Sequence, residues 1–507
     1  MSIETVECYR SVVELDHRQK YGQFFTPPSV AKFMCRWLLE QGARKLCDPA
    51  FGLGAFYLAA RELNSAIIFT GIEKDATVLA HFRKDYLNCD NSLQLINADY
   101  FSIWDLKHVA IVCNPPYMRF QYFTDRQLVI TKIQKHLGQR MSGYSNIASA
   151  FLLKSLHELA PHGCLAYLMP LEFLNTGYGE TVKRVLLDKG LKALLRIEPE
   201  GEVFPDVITS IGIILVSDDG KYEPVKFCTV QMLDQLEGSL SDLPCTSLQR
   251  EELNPTDKWL RHFEQPTTVD LRALRPLSLY GSFSRGIATG ANEFFLLSKS
   301  VAARWELPTS ILHSCISRSS QIKQPLITDT DIERLIENDE RILLADLSMS
   351  QDEAVKRYIN FGERQGFDKR YLTRMRKPWF KLENRQPAPI LFGVFSRNGF
   401  KVIRNQSRAV SLTCFHCFYP NLFGAKFVEH LFLYFYSSAG QQILSREVRK
   451  YGDKLDKFEP HDLNNALVPS PEWFGRISED LVIKKVACIT REGSDCVTQG
   501  LFDELIA

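Results

Sequence analysis

Lys45-Leu46-Cys47-Asp48-Pro49-Ala50-Phe51-Gly52-Leu53-Gly54-Ala55-Phe56 is the stretch on which the fold turns. A short apolar run stops at an acid, a glycine-bearing turn follows, and an apolar helical pattern begins. Glycines where a strand meets a helix let the backbone turn tightly and approach a ligand with no Cβ in the way. The same rhythm continues outward. Strands are expected at 45–48, 67–73, 93–97, 109–113, 164–169, 191–197 and 210–216, and helices at 55–63, 76–87, 147–159 and 180–188. Apolar runs alternating with helical patterns specify an α/β fold: a Rossmann-like, seven-stranded, mostly parallel sheet.

Such sheets bind ligands at the carboxyl ends of their strands, and three acids fall there. Asp48 ends the first strand. Glu73 ends the second, 21 residues after Gly52, at the spacing of an acid that holds ribose hydroxyls. Asp99 ends the third, where it can accept a hydrogen bond from an adenine amino group. One such Asp is an ordinary turn cap, but three acids on one edge favour a nucleoside. The first turn lacks the Gly-Lys-Ser/Thr of a phosphate loop, and it carries an acid where an anion would sit.

The fourth strand ends in Val112-Cys113-Asn114-Pro115-Pro116-Tyr117. Two prolines stiffen the backbone and remove two amide donors. The Pro115 carbonyl and the Asn114 side-chain oxygen are then two acceptors for one exocyclic amine. An adenine N6 lone pair is delocalised into the ring, so holding both hydrogens and aiming the nitrogen at an electrophile supplies rate. Tyr117 is placed to stack on a planar base.

The order of these motifs resembles the TaqI-type, gamma-class, adenine-N6 DNA methyltransferases. Tyr21-Gly22-Gln23-Phe24-Phe25-Thr26-Pro27-Pro28 is similar to that family's N-terminal cofactor motif, and Gly201-Glu202-Val203-Phe204-Pro205 to a later one. The resemblance implies S-adenosyl-L-methionine as cofactor, contacted by Tyr21, Thr26, Asp48, Ala50, Gly52, Glu73, Lys74, Asp99, Tyr100 and Pro116. It implies catalysis by Asn114, Pro115, Pro116 and Tyr117, with Phe204 on the other face of a flipped-out adenine. Phe51 departs from the small residues usual in the loop, which puts the hold on methionine in question. Residues 234–258 are polar, with Gly238, Pro244 and Pro255, and read as a linker, so residues 1–240 are expected to form the class I methyltransferase domain and residues 241–507 a mixed α+β target-recognition domain. Ser284–Gly290 with Asn292 resembles the opening of that region, and Gly452–Leu455 with Phe458-Glu459-Pro460 its close. The expected product is N6-methyladenine in a specific double-stranded DNA sequence, protected from a separate restriction endonuclease that recognises the same site.

Lys and Arg total 61 against 60 Asp and Glu, so a DNA face must be a local patch. Residues 368–408 supply one, with 11 basic residues against Asp368 and Glu383. Aromatics interleave with them, and Lys377, Trp379, Lys381, Arg385 and Arg397 are the expected DNA contacts. No apolar run approaches bilayer length and the N-terminus has no signal pattern, so a bacterial, cytoplasmic, nucleoid-associated protein is expected. The 13 cysteines are scattered in apolar segments and read as reduced thiols. Cys414 and Cys417 lack a second pair at ligand spacing, so no metal is expected. An RNA or protein-glutamine methyltransferase could share the Asn114–Tyr117 motif, but the glutamine enzymes are usually shorter, with a helical domain ahead of the cofactor motif. A nuclease fused to the methyltransferase lacks a segment ahead of Tyr21, and a non-catalytic DNA-binding module would not need Asn114 or Tyr117.

Overall fold

The structure, a computed structural model, describes residues 26–86, 92–118, 125–138, 146–198, 210–221, 223–263, 273–396, 399–446, 448–451, 455–492, 498 and 501–505. The chain forms two units, one of residues 1–265 with 450–454, the other of 266–449 with 455–507.

All seven expected strands form: β1 (Lys45–Asp48), β2 (Ile68–Glu73), β3 (Leu93–Asn97), β4 (His108–Cys113), β5 (Leu159–Pro170), β6 (Leu191–Ile197) and β7 (Ile211–Ser217). β1 pairs in parallel with β2 and β4, β2 with β3, and β4 with β5. β7 inserts antiparallel between β5 and β6. Two strands absent from the sequence reading, β8 (Val225–Val230) and β9 (Cys245–Leu248), extend the sheet, giving the order β3-β2-β1-β4-β5-β7-β6-β8-β9.

Side chains alternate between the faces of a strand, and both faces are covered. Leu46, Ala110, Val112, Ala166, Leu168 and Ile213 pack with α1 (Pro28–Glu40), α2 (Ala55–Leu63) and α3 (Ala76–Tyr86). Cys47, Ile111, Cys113, Leu165, Tyr167 and Ile214 pack with α4 (Arg126–Leu137), α5 (Ile147–Glu158) and α6 (Gly179–Asp188). A parallel sheet buried on both faces needs this apolar run on every strand. α1 and α4 were not anticipated. α1 carries buried Val30, Phe33, Met34, Trp37 and Leu38 at helical spacing, and Pro28 opens it at the first position, where no amide is needed.

The expected boundary at 240/241 moves to 265/266. Residues 234–258 read as a polar linker, yet they contain β9, which pairs with β8, and Trp259, Leu260 and Phe263 then close the core beside Phe227. β9 is a polar edge strand, so neither alternation nor hydrophobicity marked it. Cys228 and Cys245 face each other across β8 and β9 and are joined as a disulfide, which corrects the expectation of reduced thiols at this pair.

The second unit mixes helices with short, mostly antiparallel strands. Its five-stranded sheet runs in the order Gly281–Arg285, Phe415–Pro420, Ile390–Gly393, Val402–Asn405, Leu326–Ile327. The helix Val428–Tyr436 packs on it through Leu431 and Phe435, in a core with Phe283, Phe392 and Phe418. Cys417 lies in this sheet and Cys414 just before it, and burial pushes their thiols up to about 12 and about 11. Among the described residues, no helix is long and apolar enough to cross a membrane.

Candidate active site

The turn after β1 is stitched to the turn after β2 by one carboxylate. Glu73 Oε2 accepts the Gly52 amide at 2.9 Å and Oε1 the Asp75 amide at 2.8 Å. Gly52 and Gly54 adopt left-handed backbone, φ 53° and 75°, which glycine enters without steric cost. Burial raises the Glu73 carboxyl above the usual carboxylate range, against those two amide bonds. Each carboxylate oxygen keeps a further acceptor site, so Glu73 can serve the turn and a ligand together.

Asp48 is 1% exposed at the end of β1. Its Oδ1 accepts the Ala50 amide at 3.0 Å, while Oδ2 is buried with no hydrogen-bond partner among the described residues. Burial pushes this carboxyl well above its ordinary range; the Ala50 amide opposes the shift and the Glu73 charge adds to it. A buried acceptor without a partner is costly, and no described residue satisfies this one.

Phe51 does not face that edge. Its ring lies in the core against Phe82, centroids 4.9 Å apart, and against Phe69 at 6.2 Å. A Cβ on Gly71 would stand 2.3 Å from Phe51 Cδ2, and one on Gly54 2.9 Å from its Cζ. Two glycines make room for the ring, so the departure from small residues leaves the binding edge unobstructed.

At β3, Asp99 Oδ1 accepts the Phe101 amide at 2.8 Å, and Oδ2 pairs with Lys74 Nζ at 2.7 Å. Lys74 and Asp99 thereby bridge the turns after β2 and β3. The Tyr100 side chain turns the other way, into the core, where its hydroxyl donates to Glu158 Oε2 at 2.7 Å. A contact from Tyr100 to a ligand at this edge is left to its backbone.

β4 delivers Asn114 beside these turns. Asn114 Nδ2 donates to Oγ1 of the buried Thr26 at 3.0 Å, which joins the N-terminal motif to the end of β4. Pro115 is buried and Pro116 half-buried. The Tyr117 hydroxyl donates to the Leu168 carbonyl at 3.2 Å, and its ring packs against both core clusters. The structure therefore brings Thr26, Asp48, Ala50, Gly52, Glu73, Lys74, Asp99 and Asn114–Tyr117 to one sheet edge. Tyr21, Phe204 and Arg397 lie outside the described residues. An acceptor pair on two converging turns, with a fixed aromatic beside it, can bind a nucleoside and orient an amine.

In the second unit the basic segment divides. Lys369, Arg370, Arg374, Lys377 and Lys381 are exposed, together with Tyr371, Leu372 and Met375. Trp379, expected on the DNA face, is instead committed to an aromatic cluster. It packs on Phe294 at 5.2 Å and Phe295 at 6.2 Å, and its indole N–H donates to Glu363. Arg385 is half-buried, bonded to Ser284 Oγ at 2.7 Å and to Glu383. Arg376 was not singled out in the sequence as structural, yet its guanidinium clamps the Ala288 and Thr289 carbonyls. Of the segment that resembles the close of a recognition region, Gly452–Lys454 lie outside the described residues, while Glu459 lies in this unit with the segment that resembles its opening. Arg285, Thr289, Asn292, Lys457 and Glu459 line one cleft of about 540 Å³.

The family model described as N-6 DNA Methylase matches residues 15–268, and that of the type II methyltransferase M.Eco57I C-terminal domain matches residues 258–504. The chain is 34% identical to the type II methyltransferase M.AccI of Acinetobacter calcoaceticus over 91% of its length and 87% of that protein's. It is 24% identical to M.XamI of Xanthomonas campestris pv. amaranthicola over 90% and 87%. Among solved structures, the type IIL restriction-modification enzyme MmeI in complex with DNA shares the fold, with a TM-score of 0.65 and 12% identity, covering 99% of this chain and 78% of that one.

Proposed function

The chain belongs to the N-6 DNA methylase family, among the type II methyltransferases, and from that membership we propose how its residues divide the work. It is an adenine-specific DNA methyltransferase of a restriction–modification system that draws its methyl group from S-adenosylmethionine. The RNA and protein-glutamine alternatives are not favoured, since the family models matching both halves of the chain are those of DNA methylases.

The residues at the sheet edge suit this cofactor. Asp48 Oδ2, without a hydrogen-bond partner among the described residues, would accept from its ammonium group, Glu73 from its ribose hydroxyls and Asp99 from its adenine amine. Bound there, it supplies a methyl group on a sulfonium, which is electrophilic without further activation. The chain's task is then orientation. Asn114 Oδ1 and the Pro115 carbonyl accept the two N6 hydrogens, which aims the nitrogen and stabilises the positive charge that grows on it. Tyr117, held by Leu168, offers one face of a slot and Phe204 the other. A base paired inside a duplex is hidden, so the target adenine is flipped out to enter this slot. The second unit acts as the target-recognition domain, with Lys377 and Lys381 on phosphates, and a separate endonuclease of the same specificity is the functional partner in the bacterial cytoplasm, at the nucleoid.

The observation that carries this reading is Asn114 at the end of β4, locked to Thr26 and adjacent to the Asp48, Glu73 and Asp99 turns. Asn114→Ala is expected to cut methyl transfer at least ~100-fold, the scale of losing one oriented electrostatic contact in a transition state, with cofactor binding by calorimetry retained. Near-normal turnover in this variant would overturn the assignment. Sequencing DNA from cells that express the protein identifies the modified base and its context.

A further inference from the structure

One polar cluster in the first unit shares only Tyr100 with the site described above. Lys154 and Glu158, both fully buried on α5, form an ion pair one helical turn apart. Glu158 Oε2 accepts the Tyr100 hydroxyl at 2.7 Å. Ser155 Oγ lies 3.1 Å from that hydroxyl and 2.5 Å from the Tyr167 hydroxyl on β5. The Lys154 ammonium stands 3.7 Å from the Tyr100 ring centre and 4.8 Å from that of Trp104. Trp104 in turn donates its indole N–H to the Phe101 carbonyl at 2.7 Å, and Lys132 Nζ reaches the same carbonyl at 2.9 Å.

These contacts bracket one short segment. Tyr100–Ser102 is a single 3-10 turn that follows Asp99 directly, and Lys154 stands against the ring of its first residue, Tyr100, and that of Trp104, two residues past its end. Packing does not demand this arrangement. A buried ion pair loses several kcal/mol per ion to desolvation, and apolar residues of similar volume often match or exceed its stability. A phenylalanine would fill the Tyr100 site without needing a buried partner for a hydroxyl. Directional contacts of this kind fix where a turn sits, which close packing alone does less sharply.

We propose that the buried Lys154–Glu158 pair is a positioning element for the cofactor, which through the Tyr100 hydroxyl and the Tyr100 and Trp104 rings sets the turn that presents Asp99 to the adenine. Tyr100 then serves the cofactor by anchoring, its side chain pointing away from it. This rests on the reading of the β1–β4 edge as the cofactor site.

The test uses the full chain and calorimetry with S-adenosylhomocysteine as probe. Tyr100→Phe removes one oxygen, and Lys154→Met with Glu158→Leu replaces the pair by apolar residues. Both are expected to stay folded and to weaken binding about tenfold, near the worth of one hydrogen bond. In the Lys154→Met, Glu158→Leu variant the turnover number at saturating S-adenosylmethionine is expected to change less than about threefold, because the methyl-accepting end of the site is untouched. Combining all three substitutions is expected to add little, since they break one linkage. Unchanged affinity in either folded variant overturns the proposal, as does a turnover number lowered tenfold in the Lys154→Met, Glu158→Leu variant or fully additive losses. Should one variant not fold, the other decides alone. Asp99→Asn separates the two readings: if it too leaves affinity unchanged, the cofactor site has been misplaced; if it weakens binding while Tyr100→Phe does not, only the anchoring role fails.

Discussion

At the scale of single residues, Asp48 exchanges stability for binding. Its carboxyl is buried, has no partner for Oδ2 among the described residues, and is pushed well above its ordinary range by desolvation first and by Glu73 after it. A folded-state value above the unfolded one means that the native state holds the proton longer. The resulting stability is complete below the unfolded value and is lost as pH rises through the folded one. Glu73 is shifted in the same direction and adds to the slope. Without cofactor, Asp48→Asn is therefore expected to be more stable than the parent above neutrality, by ~1 kcal/mol, the scale of relieving a strained functional site, and to unfold at a higher temperature. The gap should narrow as pH falls toward the carboxylate range, and cofactor affinity should be lost. Calorimetric scans of both proteins across pH check this, and a gap that widened on acidification would contradict it. The acids, Asn114 and Tyr117 were legible in the sequence because their chemistry depends on residue type and position along a strand. Which way a side chain turns was not. Tyr100 points into the core and Trp379 into an aromatic cluster, directions set by neighbours distant in sequence, namely Glu158 for one and Phe294, Phe295 and Glu363 for the other.

At the scale of elements, the loop after β1 keeps its shape because β2 has no side chain at one position. Phe51 occupies the space over Gly71, where a Cβ would come within 2.3 Å of its ring. Gly71→Ala is thus expected to destabilise the protein by ~1–3 kcal/mol, the usual cost of overpacking a well-filled core. Phe51→Leu in the same chain should recover part of that loss, so that the two changes combine to less than their sum. Urea unfolding of the four proteins measures this, and additive losses would mean that the contact does not govern the loop. The apolar runs of β1–β7 were readable because the sheet is covered on both faces and the pattern is local. β9 was not, because a polar edge strand borrows its hydrogen bonds from β8 and carries little pattern of its own. β8 was missed with it, and the domain boundary fell about 25 residues early as a consequence. α1 reads in the sequence as a motif and not as a helix, because Thr26–Pro28 carries the motif and the buried helical face begins only at Val30.

At the scale of the whole molecule, charge must be local to be useful, because 61 basic residues stand against 60 acidic ones. The second unit achieves this by sorting the basic residues of one segment. Arg376 is spent on the Ala288 and Thr289 carbonyls, Lys401 on those of Ser319 and Ile322, and Arg404 on Glu429. Lys369, Arg374, Lys377 and Lys381 remain exposed within a dozen residues of one another. Phosphate contacts release counterions, so each lost contact lowers the slope of log K against log salt by ~0.9 on duplex DNA. Lys377→Ala with Lys381→Ala is expected to weaken binding to cognate and unrelated duplexes alike and to lower the slope by up to ~2, leaving the methylated sequence unchanged. Arg376→Ala should behave differently. It frees two carbonyls in the loop ahead of Asn292 and should lower thermal stability before it touches the salt slope. Trp379→Ala should likewise act on stability, by ~3–5 kcal/mol if its site cannot collapse, since its ring fills an aromatic cluster. Fluorescence anisotropy of labelled duplexes over a range of salt separates the two kinds of residue. If the lysine pair left both affinity and slope unaltered while Trp379→Ala abolished binding in a folded protein, the DNA face would lie on the aromatic side of this segment and the assignment of its basic side would be wrong.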